Sequence, residues 1–402
     1  MVVPMSKIGY KEALAIPISV LTKMGLWPAK KVNLVVISKL FMNIVIAIIT
    51  ETVMVSNIIQ AARSVNMKLL NWSICVFFPL TNLHIKALSL WINRSYFLSL
   101  LNDLDSTSFN NHPVKLNRHI QTIAKISDVI VKYFALVMVI FLSIFSLLPS
   151  FTNLPLMMPP PFDMGKFDVA YRIGHLLATS YLATMSATID SLYMSLIALS
   201  NAQLDILRER LIKVSEDANE LCDSMDKMKW DAGVWIILKE CVLLHDTITK
   251  YISKLSAVLS LPLLFQYASG CFIICNTIIQ ITILNERDSR TIIGMCGYSG
   301  IVFAQMSFYH WLGNEIIFKS DKIIEASYTS NWYELDIRSR KCILLLMERA
   351  KRTTAIKLYD LVFVSLESLG VVYYSYFQDG FSSTFHRCFL GGSMGIFSFC
   401  LS

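Results

Sequence analysis

Charge is what this sequence has least of. Only 16% of its 402 residues are Asp, Glu, Lys or Arg, against roughly 25% in ordinary soluble domains. Hydrophobic residues make up 54%, so too little polar surface remains to coat the soluble domains that such a length would allow. The nine cysteines include no CxxC pair, and none falls in the loop at 150–172. That spacing excludes a zinc framework and gives no basis for a disulfide scaffold. No HExxH, GxSxG, GxGxxG or P-loop sequence occurs, and the seven scattered histidines pair with no carboxylate at ligand spacing. An enzyme, a cofactor and a metal are therefore not expected. Residues 1–32 hold no apolar run with a small-residue cleavage site, so the first hydrophobic helix is expected to act as the insertion signal and to stay. The net charge of +7 is spread over connections and forms no nucleic-acid patch.

What is present is apolar length. Candidate spans lie at 33–57, 70–91, 130–149, 174–199, 255–284, 291–318 and 356–377. Each is long enough for the roughly 20 residues that cross a bilayer as helix. Ten-residue alternating segments, the mark of a membrane barrel, are absent. The expected fold is an all-α polytopic membrane protein with seven transmembrane helices.

Orientation follows from the basic residues in the connections. Segments 1–32, 92–125, 200–254 and 319–357 carry 26 Lys and Arg, and the alternate connections carry six. The expected N-terminus is cytoplasmic and, with seven spans, the C-terminus extracellular. G-protein-coupled receptors have the opposite orientation and commonly an outer disulfide, for which this sequence has no candidate pair.

The 200–254 segment places Leu204, Leu207, Leu211 and Val214 at helical spacing beside an acidic middle. The 319–357 stretch repeats the pattern around Leu344, Leu345 and Met347. Together they predict a cytoplasmic helical platform. Asp190 lies near the cytoplasmic end of the fourth span, where a cap at the interface is the favoured reading over a part in gating. Asn314 and Glu315 are expected to make inter-helix hydrogen bonds in the platform, and Glu51 to reach the outer interface. The Asn71-Trp-Ser sequon lies too near the second span to favour glycosylation.

From 304 to 369 the chain reads AQMSFYHWLGNEIIFKSDKIIEASYTSNWYELDIRSRKCILLLMERAKRTTAIKLYDLVFVSLESL. It resembles the insect odorant receptor signature at Gly313–Glu315, Ser320, Ala326–Tyr328, Trp332–Tyr333, Arg340–Lys341, Met347–Arg349 and Ser365–Glu367. Stretches 188–207 and 245–275 are similar to the family's end of helix four and start of helix five. The resemblance implies a domain over 1–377, an odorant-gated cation channel subunit assembled as a tetramer with an olfactory coreceptor, at the plasma membrane of olfactory sensory neurons. It implies a contact platform at 200–254 and 319–357 and a pore-lining seventh helix at 356–377. A tastant-gated relative of the gustatory branch is the alternative.

A volatile ligand calls for an apolar concavity with few polar groups. Candidate positions in the outer halves of spans two, three, four and six are Phe78, Met138, Phe141, Phe145, Thr179, Leu182, Met185, Tyr298 and Val302. Val371, Val372 and Phe377 are the candidate pore-facing residues. Trp332 and Tyr333, large aromatics in a charged segment, are candidate subunit anchors. Residues 378–402 exceed the family's usual end and are expected to lie at the outer surface without gating work.

Overall fold

The computed structural model describes residues 10–27, 33–110, 112–123, 159–160, 165–221, 227–283 and 289–371, with isolated helical positions between 125 and 140 and at 374. Its helices are α1 (Tyr10–Met24), α2 (Leu34–Arg63), α3 (Met67–Ile92), α4 (Arg94–Leu104), α5 (Asp168–Ile212), α6 (Val214–Leu221), α7 (Lys227–Ile283), α8 (Ser289–Thr329) and α9 (Ile337–Ala350). Among the described residues, Leu34–Arg63, Leu69–Ile92, Gly165–Ile212 and Met228–Ile278 are helices long and apolar enough to cross a membrane. The sixth expected span falls inside α8. The third, at 130–149, lies largely outside the described residues.

Helix α2 shows what solvent the fold needs. Leu34, Ile37, Phe41, Ile48, Ile49 and Ile59 all stand exposed on it. A continuous apolar face of this size is covered in a membrane protein by lipid.

Helices α5, α7 and α8 run for 45, 57 and 41 residues. At 1.5 Å per residue each is about two to three times the length a bilayer core requires. Their surplus lies at one end, beside α6 and α9. The charged side chains gather there. Lys319 reaches Asp205 at 2.6 Å, and Arg210 reaches Glu240 at 2.6 Å. Arg118 and His119 meet Glu209 at 2.8 and 2.9 Å. Burial alone would raise the Glu209 carboxyl, but hydrogen bonds from His119, Arg118 and Lys213 outweigh it and hold it near a pKa of about 2. These ends form a charged helical layer continuous with the apolar half, and it is called the platform below.

The N-terminal helix was not expected. Helix α1 buries Ala13, Leu14 and Leu21 against the main core and packs on α5. Its end is tied down by Asn43, whose amide donates to the Met24 carbonyl at 2.9 Å, while Tyr181 of α5 donates to Asn43 Oδ1 at 2.6 Å. Gly25 turns the chain with φ +77°, and a Cβ there would lie 2.4 Å from Lys39 Cβ.

The seventh span begins later than its composition suggests. In place of helix from 356, Lys357–Leu358 and Val362–Phe363 form an antiparallel hairpin. Tyr359 and Asp360 sit at its turn with φ of 49° and 56°. Two serines of α7 hold the first strand. Ser256 donates to the Lys357 carbonyl at 2.6 Å and accepts from its N–H at 2.9 Å, and Ser260 donates to the same carbonyl at 3.2 Å. Helix resumes only at 366–371, where the Ser365 hydroxyl accepts from the Ser368 N–H at 3.2 Å. With the start moved from near Leu358 to 366, about 20 residues of helix are not complete at Phe377.

The GNE sequence has a steric reason. A Cβ on Gly313 would stand 2.2 Å from the Val364 carbonyl oxygen, so α8 touches the backbone that leads into the last helix. Gly300, by contrast, has open space around it. Gly313→Ala is expected to destabilise the solubilised protein by about 1–3 kcal/mol through overpacking, read as a lowered melting temperature. Gly300→Ala, measured in parallel, should be neutral or slightly stabilising.

Candidate functional site

Two charged side chains lie where the membrane half offers no water. Lys86 of α3 and Asp190 of α5 form an ion pair in which each side chain is 1% exposed. Two residues of α8 complete it. Tyr309 donates to Asp190 Oδ1 at 2.8 Å, and the Gln305 amide donates to Oδ2. Ser186, one turn above Asp190 on α5, donates to Oδ2 at 3.4 Å. The Lys86 ammonium lies 6.0 Å from the Tyr309 ring centre. Both carboxylate oxygens are thus supplied with donors, the condition under which a buried charge is tolerated. Asp190 is not the interfacial cap expected of it. Its partner comes from another apolar span.

The three helices that meet here run parallel. Helix α7 is antiparallel to α3, since Asn276 touches Cys75 while Phe272 touches Phe78. It is antiparallel to α8 as well, since a Gly270 Cβ would meet Met306 while Tyr267 meets His310. Helices α5 and α8 run in the same direction, from Asp190–Tyr309 through Asn201–Leu312 to Asp205–Lys319. Residues within about a turn of the ion pair therefore stand at comparable levels on the three helices. Counting away from the platform by helical steps of three and four, Asp190 continues to Ser186, Leu182 and Thr179. Tyr309 continues to Gln305, Val302 and Tyr298, and Lys86 to Asn82 and Phe78. The ion pair stands at the platform end of these three stripes, the candidate walls of a site.

The described ligand candidates occupy those walls without forming one cluster. Leu182 and Met185 are buried in the main hydrophobic core. Thr179 is buried, its hydroxyl donating to the His175 carbonyl of its own helix at 2.8 Å. Val302 and Tyr298 belong to a second core with Cys75, Tyr267, Cys271, Met306 and Leu369. Phe78 packs on Phe272 of α7 with ring centres 4.8 Å apart. Met138, Phe141 and Phe145 lie outside the described residues, as do Val372 and Phe377. Val371 is 60% exposed on the last helix.

The two anchor candidates separate. Trp332 packs against the main core within the chain, whereas Tyr333 is 60% exposed. Glu51, expected at the outer interface, is taken up by α3. It pairs with His84 of α3 at 2.8 Å and accepts from Thr81 at 3.3 Å. Glu315 lies 3.9 Å from Lys319 in the platform.

Lys86, Gln305 and Tyr309 were not singled out in the sequence. The signal was available, because a lone base in one apolar span and a lone acid in another each need a partner. Composition does not say which pairs with which.

Known proteins give the same architecture. A family model described as 7tm Odorant receptor matches residues 66–376. Odorant receptor Or2 of Anopheles gambiae is 26% identical over 191 residues, covering 46% of this chain and 49% of that protein. Odorant receptor Or1 of the same mosquito is 22% identical over 259 residues, with 58% and 62% covered. The chain therefore spans about half to three-fifths of these relatives in the alignments. Among solved structures, the insect olfactory receptor OR5 from Machilis hrabei in complex with eugenol superposes with a TM-score of 0.78 at 15% identity, covering 94% of this chain and 99% of that one. Its structure described without that ligand gives 0.75, over 92% and 98%. With a model match across most of its length, this chain belongs to the 7tm odorant receptor family.

Proposed function

We propose that the protein is the odorant-tuning subunit of a ligand-gated cation channel, working with an olfactory coreceptor in the plasma membrane of olfactory sensory neurons. The observation that carries this reading is the family match over 66–376. The N-terminus and the platform face the cytoplasm, and the C-terminus faces outside, in keeping with the excess of basic residues on the platform side. The odorant binds in the membrane half, between the walls that rise from the Lys86–Asp190 floor. Eugenol, bound to the OR5 relative, is the kind of small, largely apolar molecule such a site would take.

The route from pocket to pore is short. Tyr298 and Val302 share a hydrophobic core with Met306 of α8 and Leu369 of the last helix. Tyr267 donates to the Ser368 carbonyl at 3.1 Å, and Gly313 touches Val364. A ligand that shifts the far half of α8 against its anchored floor therefore displaces groups packed on the last helix, where Val371, Val372 and Phe377 are the candidate pore positions. Tyr333, exposed on the platform, is the aromatic free to meet a neighbouring subunit. Trp332 supports it from within.

Tags at residues 1 and 402 test the orientation: in intact cells the first should be protected and the second accessible. The reverse pattern would restore a G-protein-coupled reading. Current evoked by odorant should survive removal of GTP from an excised inside-out patch. Its loss, while the coreceptor still opens to its own agonist, would overturn direct gating. The floor predicts a third result. Asp190→Leu alone leaves Lys86 buried and unpaired, at a cost of roughly 3–5 kcal/mol, and should abolish surface delivery. The double variant Lys86→Met/Asp190→Leu should recover most of it. Surface labelling equal for single and double variants would show that the two charges are not one unit.

A further inference from the structure

One residue on these walls is buried, polar and unpaired. Asn82 of α3 is 5% exposed, and its Oδ1 has no hydrogen-bond partner among the described residues. Its neighbours on α3 do not account for it. Thr81 and His84 turn to Glu51 of α2, whereas Asn82 shares the face of Lys86, four residues on, which meets α5 and α8. One helical turn, about 6 Å, separates it from the ion pair. At its level on α5 stands Ser186, and on α8 Gln305, both half-buried and both engaged with Asp190 from the side away from the platform.

We propose that Asn82, together with Ser186 and Gln305, is a hydroxyl-recognising subsite at the floor of the odorant pocket. The inference rests on the pocket reading given above and adds the ligand class: neutral alcohols and phenols. The chemistry selects them. An acceptor with no donor calls for an O–H, which hydrocarbons, ethers and ketones do not have. An ammonium would approach within a turn of the Lys86 charge. A carboxylate would face Asp190 and the bare Asn82 oxygen. A neutral hydroxyl donates to Asn82 Oδ1 and keeps its own lone pairs for the second N–H of the Gln305 amide, the first being given to Asp190.

Stability alone does not explain the residue. A leucine of similar size would fill the position without burying an unpaired acceptor, and such exchanges are neutral or stabilising when no partner is lost. A site built to satisfy its polar group with ligand discriminates strongly against analogues that lack the matching group.

The test compares medium-chain 1-alcohols and phenols with their methyl ethers and with hydrocarbons of matched length. Two readouts are taken on the full chain: the ligand-induced rise in melting temperature of the solubilised protein, and odorant-evoked current in cells that also express the coreceptor. Wild type should be stabilised by at least one alcohol and not by its ether. Asn82→Leu should melt no lower than wild type without ligand, and should need about tenfold more alcohol for the same shift while hydrocarbons act unchanged. An alcohol effect equal in wild type and variant would overturn the subsite, as would an equal loss for alcohol and hydrocarbon. If the variant does not fold, wild type alone decides, since no preference for alcohol over ether is equally fatal. Alcohol-selective binding that evokes no current would leave the subsite standing and overturn the channel reading instead.

Discussion

A carboxylate buried in an apolar helix bundle sets the terms for everything around it. Left alone, Asp190 would have to bind a proton or draw water into the core. Here it meets an ammonium from α3, a phenol and an amide from α8, and a hydroxyl from its own helix. Apolar side chains of the same volume often stabilise a core as well as an ion pair does. What they lack is register. A leucine packs nearly as well one turn up or down, while Lys86, Asp190 and Tyr309 meet at a single level. That level aligns three parallel helices, and with them the stripes that rise toward the far end of the membrane half.

The same level divides the molecule mechanically. On the platform side the helices are laced by further ties, among them Asn201 to the Leu312 carbonyl at 3.0 Å and Lys319 to Asp205 at 2.6 Å. On the far side, α8 is held by apolar contacts around Tyr298, Val302 and Met306, which include Leu369 of the last helix, and by a hydroxyl pair of Ser299 with Thr277 of α7 at 2.6 Å. Packed side chains slide more readily than charged groups exchange partners. On the proposed reading, motion driven by a ligand would be channelled into the far half of α8 and the element it touches. The hairpin at 357–363 keeps that motion local, because Ser256 and Ser260 fix its first strand to α7.

Much of this architecture could be read before any coordinates. The spans at 33–57, 70–91, 174–199 and 255–284 fall on long helices because apolar length has few other uses. The helical spacing in the charged segments 200–254 and 319–357 falls on helix as well. Two elements escaped. Helix α1 is apolar over Ala13–Met24 but too short to cross a bilayer, so composition shows no span and gives little reason to look for a docked helix. The stretch 357–364, KLYDLVFV, is apolar enough for a helix, yet its backbone bonds to two serines about a hundred positions earlier in the chain. Long-range partners of that kind leave no local pattern.

The ligand candidates failed to condense into one cluster for a related reason. In a membrane, an apolar side chain facing lipid, a neighbouring helix or an odorant satisfies the same requirement, so Leu182, Met185 and Val302 look alike in sequence whatever they touch. Polar residues are different, since each must find a specific partner or bear the cost of lacking one. Asp190 was noticed for that reason, although its partner was not found. Lys86, Gln305 and Tyr309 became intelligible only when the structure brought them together. Asn82 carries the argument one step further. It meets the same demand as its neighbours on the same helix face, and no described residue answers it.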